Sequence, residues 1–129
     1  PLVEAAAAAA VLVLAAGLTG PSASRADDPD DRSTLTRELR LTRSQLEHFR
    51  LREGCDPPSV VAGEGWHDAL AARYLMRPPR NPLHADPSSL AAGPTLAADA
   101  RLSPPVAWYF DRQARRLHAV GPDGSLLDP

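Results

Sequence analysis

At 129 residues the chain has room for one domain of about 100 residues and an appendage, so no second domain is expected. A formal charge of -2 and a pI near 6.1 exclude the basic footprint of a nucleic-acid binder, whose pI usually lies above about 9. One cysteine, Cys55, excludes an internal disulfide and a zinc site built on paired cysteines.

The first predicted element is apolar. Residues Ala5 to Gly20 carry no charge and only Thr19 as a polar side chain. As a helix this stretch covers about 24 Å, against a hydrocarbon layer of about 30 Å, so flanking residues would have to help span it. The alanines favour helix but are weakly hydrophobic, and the strongest insertion signal is Val11-Leu12-Val13-Leu14. Residues 1–20 are therefore expected to form a transmembrane or assembly helix in contact with membrane lipid. The competing reading is a secretory signal peptide with Ser24-Arg25-Ala26 as its cleavage site, which would leave a small periplasmic or secreted binding module. Glu4, where such a peptide carries basic residues, speaks against it. A carboxylate carried toward the bilayer centre costs about 2.5–3.5 kcal/mol, so Glu4 either finds a partner or stays solvated among headgroups.

Pro21-Ser22-Ala23-Ser24 ends or kinks that helix, and residues 21–32 are expected to form a hinge. Asp27-Asp28-Pro29-Asp30-Asp31 lacks the ligand spacing of a calcium loop, and its carboxylates are expected to face water and the positive end of the next helix. That helix is predicted from about Ser33 to Glu53. Leu35, Leu39, Leu46 and Phe49 recur at helical spacing, with Arg37, Glu38, Arg40, Arg43, Glu47 and Arg50 mostly off the stripe. Gly54 is placed as its C-cap, and Pro57-Pro58 cannot continue it.

Residues 33–129 are expected to form an α+β head. Val106-Ala107-Trp108-Tyr109-Phe110-Asp111 and Arg116-Leu117-His118-Ala119-Val120 alternate as two strands of a hairpin. Trp108 and Phe110 share one strand face, so the predicted core joins them to Leu39, Leu46 and Phe49. Pro87 to Pro104, rich in Ala, Pro, Gly and Ser, offers little to bury and is predicted to be a loop.

Several stretches carry a resemblance, and their order carries more than any one of them. Leu2-Val3-Glu4 before an apolar helix resembles the start of a mature prepilin-type protein. Leu39 to Gly54, followed by Pro57-Pro58, is similar to the membrane-distal half of the long pseudopilin helix. Gly65-Trp66-His67-Asp68-Ala69-Leu70 looks like the short helical turn that follows it, and Tyr74 to Leu83 like the turn with an Asn-Pro step. Heads of that kind often close with a hairpin like that of residues 106–120. The chain thus resembles type II secretion pseudopilins and type IV pilins. The resemblance implies a pilin-like α+β fold, in which a long N-terminal helix with a membrane-embedded first part packs on a small antiparallel sheet. It also implies a non-enzymatic filament subunit, single-pass in the bacterial inner membrane with its head in the periplasm or outside the cell. The implied partners are identical or related subunits, an inner-membrane assembly platform and a prepilin peptidase. Glu4 would meet the N-terminal amine of a neighbouring subunit; in that family the glutamate is the fifth mature residue, after an N-methylated phenylalanine, which puts Pro1 in the second place.

Catalysis would need a nucleophile or acid with a positioned base; the candidates are His67 beside Asp68, Cys55, His84 near Ser88 and Ser89, and His118. None forms a recognised motif, and no catalytic residue, cofactor or metal ligand is assigned. Major pseudopilins can hold calcium in a C-terminal loop, where this chain has Asp123 and Asp128, but Pro122-Asp123-Gly124 is already sufficient as a turn signal.

Overall fold

A computed structural model of the protein describes residues 28–127. The expected apolar helix of residues 1–20, Glu4 within it, and the Ser24-Arg25-Ala26 site lie outside the described residues. Residues Ser33–Pro129 form one compact unit, and residues up to Arg32 belong to another.

Helix α1 runs Pro29–Glu53, four residues longer at its start than the sequence predicts. Pro29, inside the expected hinge, occupies the first helical position, where its missing N–H would have had no partner in any case. The Asp28 carboxylate accepts from the Asp30 N–H at 2.9 Å, and Asp30 and Asp31 place negative charge in the first turn. The helix stops at Gly54, whose φ of 86° is open to glycine and whose N–H closes the last turn on the Arg50 carbonyl at 3.0 Å. Its buried stripe is Leu35, Glu38, Leu39, Thr42, Leu46 and Phe49. Glu38 therefore belongs to the packed face rather than the wet one.

Two short helices follow, α2 (Pro58–Val61) and α3 (His67–Ala71). They are fastened reciprocally: the Ser59 N–H donates to the Asp68 carboxylate at 2.8 Å, and the Asp68 N–H donates to the Ser59 hydroxyl at 3.2 Å. Strand β1 (Leu90–Gly93) arises inside the stretch predicted as a loop. Strands β2 (Trp108–Asp111) and β3 (Arg116–Ala119) form the hairpin.

The sheet order is β1-β2-β3, with β1 parallel to β2 and β3 antiparallel to it. The expected antiparallel sheet is thus corrected to a mixed one. The reason lies in Leu90-Ala91-Ala92-Gly93, whose side chains carry little strand propensity and whose place is set by its neighbour. Gly93 lies where a Cβ would come within 2.6 Å of the Tyr109 hydroxyl oxygen, which fixes a residue without a side chain at the end of β1. As the central strand, β2 is buried at every position, so Tyr109 is covered as completely as Trp108 and Phe110. The core is centred there, with Leu39, Leu46, Phe49, Trp108 and Phe110 all buried alongside Val60, Leu117 and Val120.

The membrane-embedded helix of the expected fold is also corrected. Among the described residues no helix is long and apolar enough to cross a membrane. The long one, α1, carries charges from Asp30 to Glu53, each costing about 2.5–3.5 kcal/mol at a bilayer centre. The same finding overturns the expected single-pass placement in the inner membrane.

Candidate functional site

One concavity of the head lies between α1 and the hairpin. Leu46 on the buried stripe of α1 and Phe110 and Leu117 on the facing strands form its floor, and the cleft has a volume of about 240 Å³. Helical spacing brings Arg43, Glu47 and Arg50 along one wall, because residues three and four apart lie on one face. Arg115 and Arg116, at the end of the hairpin loop and the start of β3, form the other.

Two hydrogen bonds fix the walls. Arg43 donates through Nε to the Leu117 carbonyl at 2.7 Å, tying α1 to β3. Arg115 donates through Nε to Asp56 Oδ2 at 2.8 Å, tying the loop to the turn after α1. The loop that delivers Arg115 is itself ordered by Asp111, whose Oδ1 accepts from the N–H groups of Gln113 and Ala114 at 2.9 and 2.8 Å. Arg115 has a φ of 56°, in the left-handed region that costs a non-glycine residue about 1–2 kcal/mol. Burial works to raise the Asp111 carboxyl, but those N–H groups and the Thr95 hydroxyl outweigh it and hold the group below its ordinary value. Four guanidinium groups therefore face two carboxylates, Glu47 and Asp56, in a chain whose net charge is negative. Guanidinium forks match carboxylates, and Arg115 already holds one, that of Asp56.

On the other side of the head two buried polar groups hold the connecting segment. Asn81 is fully buried; its Nδ2 donates to the carbonyls of Ala107 and Val120 at 2.8 and 2.9 Å, and its Oδ1 accepts from the Leu83 N–H at 3.0 Å. Glu38 accepts from both terminal nitrogens of Arg77, at 2.9 and 2.8 Å, and from the Arg80 N–H at 2.9 Å. The bidentate Arg77 contact, aided by that N–H against the opposing effect of burial, holds the Glu38 carboxyl below its ordinary value.

Of the candidate catalytic groups, Asp68, His84, Ser88 and Ser89 are engaged with backbone. Asp68 is engaged with Ser59, His84 meets the Val120 carbonyl through Nε2 at 2.7 Å, and Ser88 donates to the Pro79 carbonyl at 2.6 Å. Ser89 donates to the Asp86 carbonyl and accepts from the Ala107 N–H. Cys55 is exposed and unpaired with any other cysteine. Asp123 accepts from the Ser125 hydroxyl and N–H at 2.7 and 3.0 Å, and Asp128 lies outside the described residues. No group of three or more His, Cys, Asp or Glu is placed to hold a metal ion among the described residues.

Sequence reasoning missed the cleft, because its arginines are spread over more than seventy positions and each alone reads as a solvated charge. It also missed the Glu38–Arg77 pair, which looks like ordinary surface charge until the fold brings the two together. Asn81 had a signal, an asparagine set between Pro79 and Pro82. The chain matches no family model, no curated protein and no solved structure.

Proposed function

We propose that this protein is a structural subunit of a pilin-like filament, of the type II secretion pseudopilus or type IV pilus kind, whose partners are identical or related subunits. The observation that carries the reading is the linkage made by Asn81. Its amide hydrogen-bonds the carbonyls of Ala107 and Val120, which precede and follow the hairpin strands, so the Asn-Pro turn and the hairpin are one piece. Arg43 and the Glu38–Arg77 pair join that piece to α1. These are the segments whose order resembles the family, and they assemble into a head fixed along one face of a 25-residue helix. A head locked to a helix in this way suits work by assembly, in which each subunit transmits its position to the next.

The test is whether the protein is found in fibres. Antibodies raised against residues 33–129 should decorate thin filaments by electron microscopy in cells that make the full protein, and deletion of its gene should remove them. Recovery of the protein only as a monomer, with no fibre labelled, would sink the reading.

A further inference from the structure

We propose that the head docks on an anionic lipid surface through a different face, the groove between α1 and residues 74–79. Leu41 and Met76 would enter the headgroup layer there, and the arginines around them would meet lipid phosphates. The contact lies on the surface of the bilayer and needs no spanning helix, and it stands whether or not the chain builds filaments.

The groove has a volume of about 270 Å³, and Leu41, Tyr74, Leu75, Met76 and Pro79 supply its apolar lining. Leu41 is 54% and Met76 91% exposed, and both line this one groove. Such a pair says little until the charge around it is counted. Arg37 stands about one turn before Leu41 on α1 and Arg52 about three turns after it, so both fall on its side of the helix. Arg73 and Arg80 bracket the segment that forms the other wall. All four are exposed, and none of them forms a salt bridge among the described residues. Of the nearby carboxylates, Glu38 is buried and held by Arg77 and the Arg80 N–H, and Glu53 accepts from the Tyr74 hydroxyl at 3.1 Å. The face is therefore positive in a chain of net charge -2.

The spread of that charge selects the partner. Arg37 and Arg52 are about 22 Å apart along α1, too far for one acidic side chain and suited to a plane of phosphates. Apolar groups that stand out of a basic face enter the boundary between headgroups and acyl chains. Each cation near an anionic leaflet strengthens binding about fivefold, and salt screens the gain.

The test places a nitrobenzoxadiazole label in the groove of the full chain, through Gln45→Cys in a Cys55→Ser background. It is titrated with vesicles of phosphatidylcholine alone or mixed equally with phosphatidylglycerol. Gln45 lines the groove, so the label reports this face and not residues 1–20. Emission should rise and shift to the blue on the anionic vesicles, at a lipid concentration at least about tenfold lower than on the neutral ones, and sodium chloride should reverse the gain. Arg37→Gln with Arg52→Gln should raise the lipid needed about 25-fold, and Met76→Ser should lessen the blue shift. These three positions are exposed, and circular dichroism checks that the variants fold. Equal emission on both kinds of vesicle, or an unchanged response from the arginine variant, overturns the proposal. A label that responds to soluble polyglutamate and not to the anionic vesicles overturns it in favour of an acidic protein partner.

Discussion

The buried Asn81 side chain makes three hydrogen bonds to backbone, and its assignment is unambiguous because the amide nitrogen faces two carbonyls while the oxygen faces an N–H. Asn81→Ala leaves the buried Leu83 N–H without its partner and takes one of two contacts from the Ala107 and Val120 carbonyls, which keep the Val120 N–H and His84 Nε2, and should cost about 1–3 kcal/mol in urea unfolding. Asn81→Asp should cost more at neutral pH, since it turns a carboxylate toward two carbonyl oxygens, and part of that extra loss should return in mild acid. Equal midpoints for the two variants would contradict this geometry. The Glu38–Arg77 pair is asymmetric, with the carboxylate side chain 6% and the guanidinium 55% exposed. Arg77→Ala strands a buried charge and should cost about 3 kcal/mol, whereas Glu38→Ala frees an arginine that water can reach and should cost about 1–2 kcal/mol. The folded state binds the Glu38 proton less readily than the unfolded chain. Its stabilisation is therefore complete above the ordinary value of 4.5 and is lost as pH falls below that through the lowered folded value. Acid titration of the wild type and Glu38→Gln should show that limb in the first and a shallower one in the second.

At the level of elements, α1 and β1 show opposite relations between local sequence and local structure. The helix has its stop and start written into it: Asp28 and Pro29 open it, the leucines recur at its period, and Gly54 closes it. Strand β1 has none of this, because Leu-Ala-Ala-Gly between prolines has neither the composition nor the alternation of a strand. It pairs because β2 presents a free edge and because Gly93 lets the Tyr109 hydroxyl pass to the Pro94 carbonyl at 2.6 Å. Alanine substitutions separate the two cases. At Gly54 nothing lies within 4 Å of a new Cβ, so the cost is backbone strain alone, about 1 kcal/mol. At Gly93 the new methyl meets the tyrosine oxygen, and a cost of about 2–3 kcal/mol should come with an altered Tyr109 environment in near-ultraviolet circular dichroism. A silent Gly93→Ala would place β1 elsewhere.

Across the whole molecule, stability should be graded around the central strand. Trp108 to Phe110 is paired on both sides and buried, while Asp99 lies exposed in the segment joining β1 to β2. Native-state hydrogen exchange should therefore find the slowest amides of the described residues on β2, and uniform protection across the head would contradict this order. The sequence by itself determined what depends on near neighbours: the extent of α1 to within four residues, its C-cap, the hairpin and its aromatic face. Periodicity, capping and turn chemistry act over a few residues and need no fold to be read. Only the tertiary structure decided that the sheet is mixed, that Glu38 is buried against Arg77, and that arginines on a helix and a hairpin share one cleft. Burial and charge pairing depend on which distant segments meet, and a residue such as Glu38 or Arg115 reads as solvated until its partner, 39 or 59 positions away, is set beside it.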